Sequence, residues 1–258
     1  MRRKLVTTPV VSIITPTFNR PHYLSAVTRF VLDQNVADFE WLILDDSPRP
    51  CEFMLSVSDP RVIYEHAKEK RTTGSKRNYL IQKARAETIA LFDDDDFYGP
   101  NYLSNMLSEM RENDADIVKF FGFFMYSKLY KALGYWDLNA KVGPHWIWSA
   151  QPLAIEMMTE QNNQNFKNNH LGYGFSYVFK KKVWERCQFP DMGWNNDGVF
   201  MLDAVQHFKL TGIHDVQCTC LHVIHGSNVS RCFPQYMMPG FLAYKLFPMA
   251  EDLLVIGE

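Results

Sequence analysis

Thr88-Ile89-Ala90-Leu91-Phe92-Asp93-Asp94-Asp95-Asp96 decides how this chain is read: an apolar run of strand length that ends on four consecutive aspartates, with Pro100 soon after. Five apolar-rich residues bounded by polar and turn-forming ones have the length of a buried strand rather than of a helix. Upstream lies a helical pattern over about 75–86, preceded by a basic, glycine-containing turn and a short strand at Val62-Ile63-Tyr64. Further upstream, Trp41-Leu42-Ile43-Leu44 is an apolar run ending at Asp45-Asp46 and a Ser47-Pro48 breaker. The first run, Val10-Val11-Ser12-Ile13-Ile14, precedes a loop and a helix opened by Pro21, with Leu24, Val27 and Val31 on one face. Downstream, a helix over about 101–112 and a strand over 116–123 complete this half. Strands separated by helices of 10–15 residues predict parallel pairing, so the class is α/β: a Rossmann-like, mostly parallel sheet with helices on both faces. In such sheets ligands bind beyond the carboxyl ends of the strands, where both acidic clusters, 45–46 and 93–96, are expected.

The 258 residues carry 47% hydrophobic and 22% charged residues, the composition of a folded globular chain. A net charge of −2 offers no basic field for a nucleic-acid backbone, so no nucleic-acid partner is expected. No apolar run is long enough for a transmembrane segment, and the basic start Met1-Arg2-Arg3-Lys4 is followed by too few apolar residues for a signal peptide. The expected location is cytoplasmic or peripheral to a membrane. Cys51, Cys187, Cys218, Cys220 and Cys232 have no metal-ligand spacing and read as free thiols, with Cys218 and Cys220 on one face of a strand.

The second half has a different texture. Residues 128–153 hold Tyr130, Tyr135, Trp136, His145, Trp146 and Trp148 with little helical regularity, which suits either a sugar-stacking surface or packing under a loop. A strand is expected at about 174–180, a loop over 189–197, a helix from Gly198 to Phe208, and an alternating strand from Val216 to Val223. The tail, 236–258, has near-helical spacing. One domain over 1–258 is expected, with a ligand-binding half at 10–123, a second half at 124–232 and a helical tail at 233–258.

Four adjacent carboxylates repel one another unless a cation or hydrogen-bond donors compensate them. After a strand they suit a hard divalent cation, Mn²⁺ or Mg²⁺, whose other positions go to water and substrate phosphates. The basic block Lys68, Lys70, Arg71, Lys76 and Arg77 follows another strand and is expected to converge on the same crevice. Cations plus a metal are what a diphosphate leaving group needs.

These stretches carry a resemblance. Val11-Ser12-Ile13-Ile14-Thr15-Pro16-Thr17-Phe18-Asn19-Arg20 resembles the opening strand of family 2 glycosyltransferases, which have the GT-A fold. Leu42-Ile43-Leu44-Asp45-Asp46-Ser47 is similar to their second strand, Gly74-Ser75-Lys76-Arg77-Asn78 to a turn before a helix, and Ile89 to Asp96 to their DXD strand. Gly174 to Phe179, Asn196-Asp197-Gly198 and His225 to Ser230 resemble later segments, so the likeness runs over about 10–230.

The resemblance implies roles by position. Thr15 and Phe18 would line the base site, Phe18 by stacking, and Asp46 would accept the base N–H, favouring uracil. Asp93 and Asp94 would approach the ribose and the hydrated metal. Asp95 would ligate the metal, with His225 as a further ligand or phosphate contact, although four aspartates leave the register open. Arg77 would lie near the diphosphate. Asp197 would be the general base of an inverting transfer; the family often has Glu before it, where this chain has Asn196, and a slipped register would make Asp191 the base. The expected partners are a nucleotide-sugar donor, most simply a UDP-sugar, and a glycan, lipid-linked or protein acceptor. The alternative is a non-catalytic nucleotide-sugar-binding module on the same fold.

Overall fold

A computed structural model describes residues 8–140, 142–148, 151–163, 168–226 and 232–256. The first half alternates strands and helices as the sequence predicts: β1 (Val11–Thr17), α1 (Pro21–Leu32), β2 (Phe39–Asp45), α2 (Glu52–Ser56), β3 (Val62–His66), α3 (Thr73–Lys83) and β4 (Thr88–Leu91). β3, β2, β1 and β4 lie side by side in that order, all parallel. β1 and β2 are almost wholly buried, the signature of strands covered on both faces. Val11 pairs with Phe39 and Thr17 with Asp45, so their carboxyl ends stop level with one another, at the edge where β4 runs into Asp93.

The period of two sorts β1 and β2 between two cores. Val11, Ile13, Trp41 and Ile43 pack with Leu24, Val27 and Phe30 of α1 on one face. Ile14, Leu42 and Leu44 pack with Leu80 and Ile81 of α3 on the other. Burial of each such side chain contributes roughly 1.5–3 kcal/mol. α1 starts at Pro21, where a missing N–H costs nothing, and the Thr72 hydroxyl caps α3 by accepting the Ser75 N–H at 3.1 Å. Gly74 is required in the first turn of α3, because a Cβ there would meet the Pro190 carbonyl oxygen at 1.9 Å.

Beyond β4 come β5 (Phe97–Tyr98), α4 (Tyr102–Glu112) and the long β6 (Ile117–Ser127). The aromatic region contains strands: β7 (Ala132–Asp137), β8 (Gly143–Ile147) and β9 (Ala154–Met158), with α5 (Glu160–Asn163) after them. β8 and β9 form a separate two-stranded sheet. β10 (Val178–Lys180), α6 (Lys181–Arg186), α7 (Asn196–Ala204), β11 (Leu210–His214) and β12 (Cys220–Ile224) follow, and β13 (Tyr236–Pro239), α8 (Phe241–Leu246) and α9 (Glu251–Val255) end the description. β10 slots antiparallel between β4 and β6, β7 pairs antiparallel with β6, and β11 and β12 join β6 in parallel. The sheet is therefore parallel at its centre and mixed towards β13.

Several expectations shift. The segment expected as one strand over 174–180 is a 3₁₀ turn, Gly174–Ser176, followed by a three-residue strand, because Gly174 is drawn towards α7 by a hydrogen bond to Asp197. The strand expected at 216–223 starts only at Cys220: Cys218 has φ +54° in the preceding turn, so the two cysteines do not share a strand face. All five cysteines are free. Residues 236–239 are an edge strand on β7 rather than helix, and the helical tail begins at Phe241. No helix among the described residues is long and apolar enough to cross a membrane.

Candidate active site

The acidic run occupies the loop after β4, at the carboxyl edge of the sheet, and its four carboxylates are held in four different ways. Asp93 keeps the most exposed side chain, at 31%, and receives Arg77 Nη2 at 3.3 Å. Asp94 accepts the Thr17 hydroxyl and Arg20 Nη1, the latter at 2.8 Å. Asp95 also receives Arg20 Nη1 and lies 3.0 Å from His225 Nε2. Asp96 accepts the Val223 N–H at 2.8 Å and meets His222 Nδ1 at 2.8 Å. Burial raises Asp93 to about 7 and Asp94 to about 6; in each case an arginine opposes the rise and neighbouring carboxylates add to it. Asp95 is buried too, yet Arg20, His225 and His222 draw it down to about 2. Burial alone would depress His222, but the Asp96 carboxylate holds it well above the ordinary imidazole value.

Three carboxylate oxygens, one each from Asp93, Asp95 and Asp96, lie within 4.8 Å of one another. Hard oxygen donors at that spacing suit Mn²⁺ or Mg²⁺. Arg20 supplies part of that positive charge from the protein itself.

The expected base-site residues are arranged unevenly. Thr15 is fully buried and its hydroxyl accepts the Trp41 indole N–H at 2.9 Å, so its side chain does not line the crevice. The reason is position along the strand: Thr15 and Thr17 share a face, but Thr15 lies inside β1 against Trp41, whereas Thr17, at its end, reaches the acidic loop. Phe18 is half-buried with Lys70 Nζ 4.1 Å from its ring centre. Asp46 has no exposed side-chain surface; Oδ1 pairs with Lys76 Nζ at 2.7 Å and Oδ2 accepts the Arg71 N–H at 2.7 Å. Lys76 also donates to the Thr17 carbonyl at 2.8 Å, tying β1 and β2 together beneath the loop.

Arg77 is buried and spans the site. Nη1 donates to the Asn196 side-chain oxygen at 2.7 Å, while Nη2 faces Asp93 across the crevice. Asp197, in the first turn of α7, accepts the Gly174 N–H on Oδ2 at 2.8 Å; Oδ1 takes no hydrogen bond among the described residues. A Cβ on Gly174 would lie 2.9 Å from the Asp197 Cβ and 3.3 Å from Arg77 Nη1, so only glycine admits this approach. The Tyr98 hydroxyl accepts the Asp93 N–H at 2.9 Å and donates to the Phe175 carbonyl at 3.0 Å, clamping the acidic loop to the turn that holds Asp197. Asp191 is exposed and accepts the Thr72 hydroxyl, on the outside of the same loop.

Sequence reasoning brings Asp93, Asp95, His225, Arg77 and Asp197 to one edge of the sheet, and the structure brings them together there. It missed functions for Arg20, Thr17, Tyr98 and His222. Arg20 and Thr17 were legible as polar residues at the end of the first strand motif; nothing local marks Tyr98 or His222, whose contacts with Phe175 and Asp96 span 77 and 126 positions. The end of the late histidine-containing segment, 227–230, falls outside the described residues.

Comparison with known proteins agrees with this architecture. The model of the family described as "Glycosyl transferase family 2" matches residues 12–186. A UDP-Glc:alpha-D-GlcNAc-diphosphoundecaprenol beta-1,3-glucosyltransferase of Escherichia coli, WfgD, is 34% identical over 111 residues, covering 42% of this chain and 44% of that one. The chain spans about two fifths of the length of the relatives at that level of similarity. Among solved structures, Staphylococcus aureus TarS 1–349 in complex with UDP-GlcNAc superposes with a TM-score of 0.61 at 14% identity, over 94% of this chain and 66% of that one. Mannosyltransferase PcManGT of Pyrobaculum calidifontis, in complex with GDP-Man and Mn²⁺, gives 0.60 at 14% identity, over 86% and 59%. These two likenesses fix the fold as GT-A, and the family match covers more than half of the sequence. The chain belongs to glycosyl transferase family 2.

Proposed function

We propose that this protein is an inverting, metal-dependent glycosyltransferase that moves a sugar from a UDP-sugar to an acceptor hydroxyl. The observation that carries the reading is the Arg77 bridge, which joins the carboxylate cluster of Asp93, Asp95 and Asp96 to the N-terminus of the helix bearing Asp197. Donor and acceptor chemistry need just such a separation: a cation-binding edge for the diphosphate and a carboxylate on the far side of the sugar. Asp93, Asp95 and Asp96 would hold Mn²⁺ or Mg²⁺, with His225 against Asp95. Bound there, the ion supplies positive charge against the diphosphate leaving group. Phe18 is the group proposed for the base and Asp94 for the ribose side, while Asp46, its carboxylate taken up by Lys76 and the Arg71 N–H, would support that end of the crevice from beneath.

Asp197 would take the proton from the acceptor hydroxyl on Oδ1, which takes no hydrogen bond among the described residues, as the hydroxyl oxygen bonds to the anomeric carbon. The bond from that carbon to the diphosphate oxygen breaks, its electron pair leaves with UDP, and configuration inverts. The Gly174 N–H keeps the other oxygen fixed, so the carboxylate does not rotate away from the acceptor. Arg77 would face the departing diphosphate while anchoring Asn196. The WfgD match favours a lipid-carried glycan among the possible acceptors, which would bring the protein to a membrane surface.

The test is UDP release from a panel of UDP-sugars, with Mn²⁺ and then with EDTA, by the protein and by Asp95→Ala. Metal-dependent release from one donor, lost in the variant, is the expected result. Absence of binding to any nucleotide would overturn the reading. The second reading, a binding module without turnover, draws on Asn196 standing where an acid is common; UDP binding with Mn²⁺, without hydrolysis or transfer of any donor, would favour it.

A further inference from the structure

Lys119 is the third residue of β6 and has no exposed surface, on the face that Ile117 presents to the core beside α7. A fully buried amine is costly unless it is hydrogen-bonded, and packing alone would be served as well by methionine or leucine. Its Nζ has one hydrogen-bond acceptor among the described residues, the His170 carbonyl, at 2.5 Å, and it rests over the rings of Phe121 and Tyr177. Burial pulls the amine down to about 7, and among the described residues the charge that opposes this is Asp197.

His170 opens a short segment that ends at the turn supporting Asp197. The Leu171 carbonyl accepts the Tyr177 hydroxyl, which also lies 3.4 Å from the Asp197 carbonyl oxygen. Tyr173 has φ +69°, a left-handed conformation that a tyrosine adopts only under constraint. Its ring is wedged against Trp136 and Phe123. One residue later, the Gly174 N–H reaches Asp197 Oδ2.

We infer that Lys119 is a positioning residue: by holding the His170 carbonyl it fixes the 170–174 segment in the strained shape that presents the Gly174 amide to Asp197. The inference rests on the reading of Asp197 as the general base. Without the amine, the His170 carbonyl loses this hydrogen bond, the strained 170–174 segment is held less tightly, and the Gly174 amide holds the carboxylate less firmly.

The test compares the protein with Lys119→Met, which keeps the length and volume of the side chain, and Lys119→Gln, which keeps an N–H donor on a shorter stem. Amide hydrogen exchange in peptides covering 168–177 needs no activity: Lys119→Met should speed exchange of the Gly174 amide at least tenfold, and Lys119→Gln should restore part of the protection. Binding of UDP with Mn²⁺ should stay within twofold, while hydrolysis of UDP-glucose or UDP-GlcNAc, with water as acceptor, should fall tenfold or more. Placed on Asp197→Asn, Lys119→Met should cost less than a further twofold, because the two residues act through one carboxylate. Unchanged exchange, or losses that multiply, would overturn the role of Lys119. Should Asp197→Asn by itself hydrolyse donor at the normal rate, the reading of Asp197 falls and the inference falls with it; an inactive Asp197→Asn with unchanged exchange in Lys119→Met removes only the inference.

Discussion

Arg77 donates from Nη1 to the side-chain oxygen of Asn196 at 2.7 Å. The residue before Asp197 is therefore used as a hydrogen-bond acceptor, a role that a neutral amide fills as well as a carboxylate. Placing Asn there costs the site an anion but leaves the arginine anchored and α7 in register with the acidic loop. Asp197 remains a carboxylate at this end of the crevice, and the proton transfer proposed for it does not need a charged neighbour.

Asp197→Asn should lower kcat by about 10²–10⁴, the usual contribution of a positioned proton acceptor, with binding of UDP and Mn²⁺ unchanged. Steady-state UDP release together with calorimetric UDP binding checks both halves. Equal loss of binding and turnover would place Asp197 on the donor side instead.

Gly174→Ala introduces a Cβ 2.9 Å from the Cβ of Asp197. The carboxylate must shift by a few tenths of an ångström, and misplacement of that size is expected to lower kcat about tenfold or more. Stability should fall by about 1–3 kcal/mol, the usual cost of overpacking. Thermal denaturation measured beside turnover separates the two effects.

Arg20→Gln removes the cation shared by Asp94 and Asp95, leaving two buried carboxylates opposed only by their other partners. The metal-free variant should melt below the wild type, and saturating Mn²⁺ should raise its melting temperature by more than it raises that of the wild type. Stabilisation by a ligand at a hundred times its Kd is about 2.7 kcal/mol, so the difference is measurable by calorimetry. Identical Mn²⁺ shifts in the two proteins would show that Arg20 and the metal do not share these oxygens.

Lys76→Met strands the fully buried Asp46 carboxylate, whose pairing with Lys76 is 6% and 0% exposed at the side chains. Breaking one partner of a buried pair typically costs about 3–5 kcal/mol. Adding Asp46→Leu should recover much of that stability in urea titrations.

Stability should also rise with pH above neutrality. Burial lowers Lys119 from 10.5 to about 7 in the folded chain, so between those values the unfolded chain holds a proton that the folded chain has released. Folding then gains up to about 1.4 kcal/mol per pH unit from this group, starting near pH 7 and ending near the unfolded value. Urea midpoints at pH 7, 8 and 9 should climb in the wild type and flatten in Lys119→Met.

The amino-acid sequence by itself determined the parallel half of the sheet. Val11–Ile14, Trp41–Leu44 and Ile89–Leu91 are apolar runs whose ends are announced by Thr, Asp and Pro, and parallel strands buried on both faces need nothing else to be recognised. Because their carboxyl ends stop at one edge, the acidic loop was bound to lie there, and Asp93, Asp95 and Arg77 were legible as a group. Thr15 and Thr17 share a strand face, and only the packing of Trp41 over Thr15 decided that Thr17 is the one that reaches the acidic loop.

Tertiary structure alone decided what each of the four aspartates does. Adjacent residues in one loop point in different directions, and their partners Arg20, Arg77, His222 and His225 come from elements up to 130 positions away. It also decided that Gly174 leaves the strand pattern: the pull of Asp197 on its N–H is a long-range contact that no local period records. The same holds for Lys119, whose position in an apolar run gives no reason for a charge until the His170 carbonyl is packed against it. Hydrophobic periodicity is a local property and survives reading in one dimension, whereas charge compensation and hydrogen-bond partnership depend on distances that exist only once the sheet has formed.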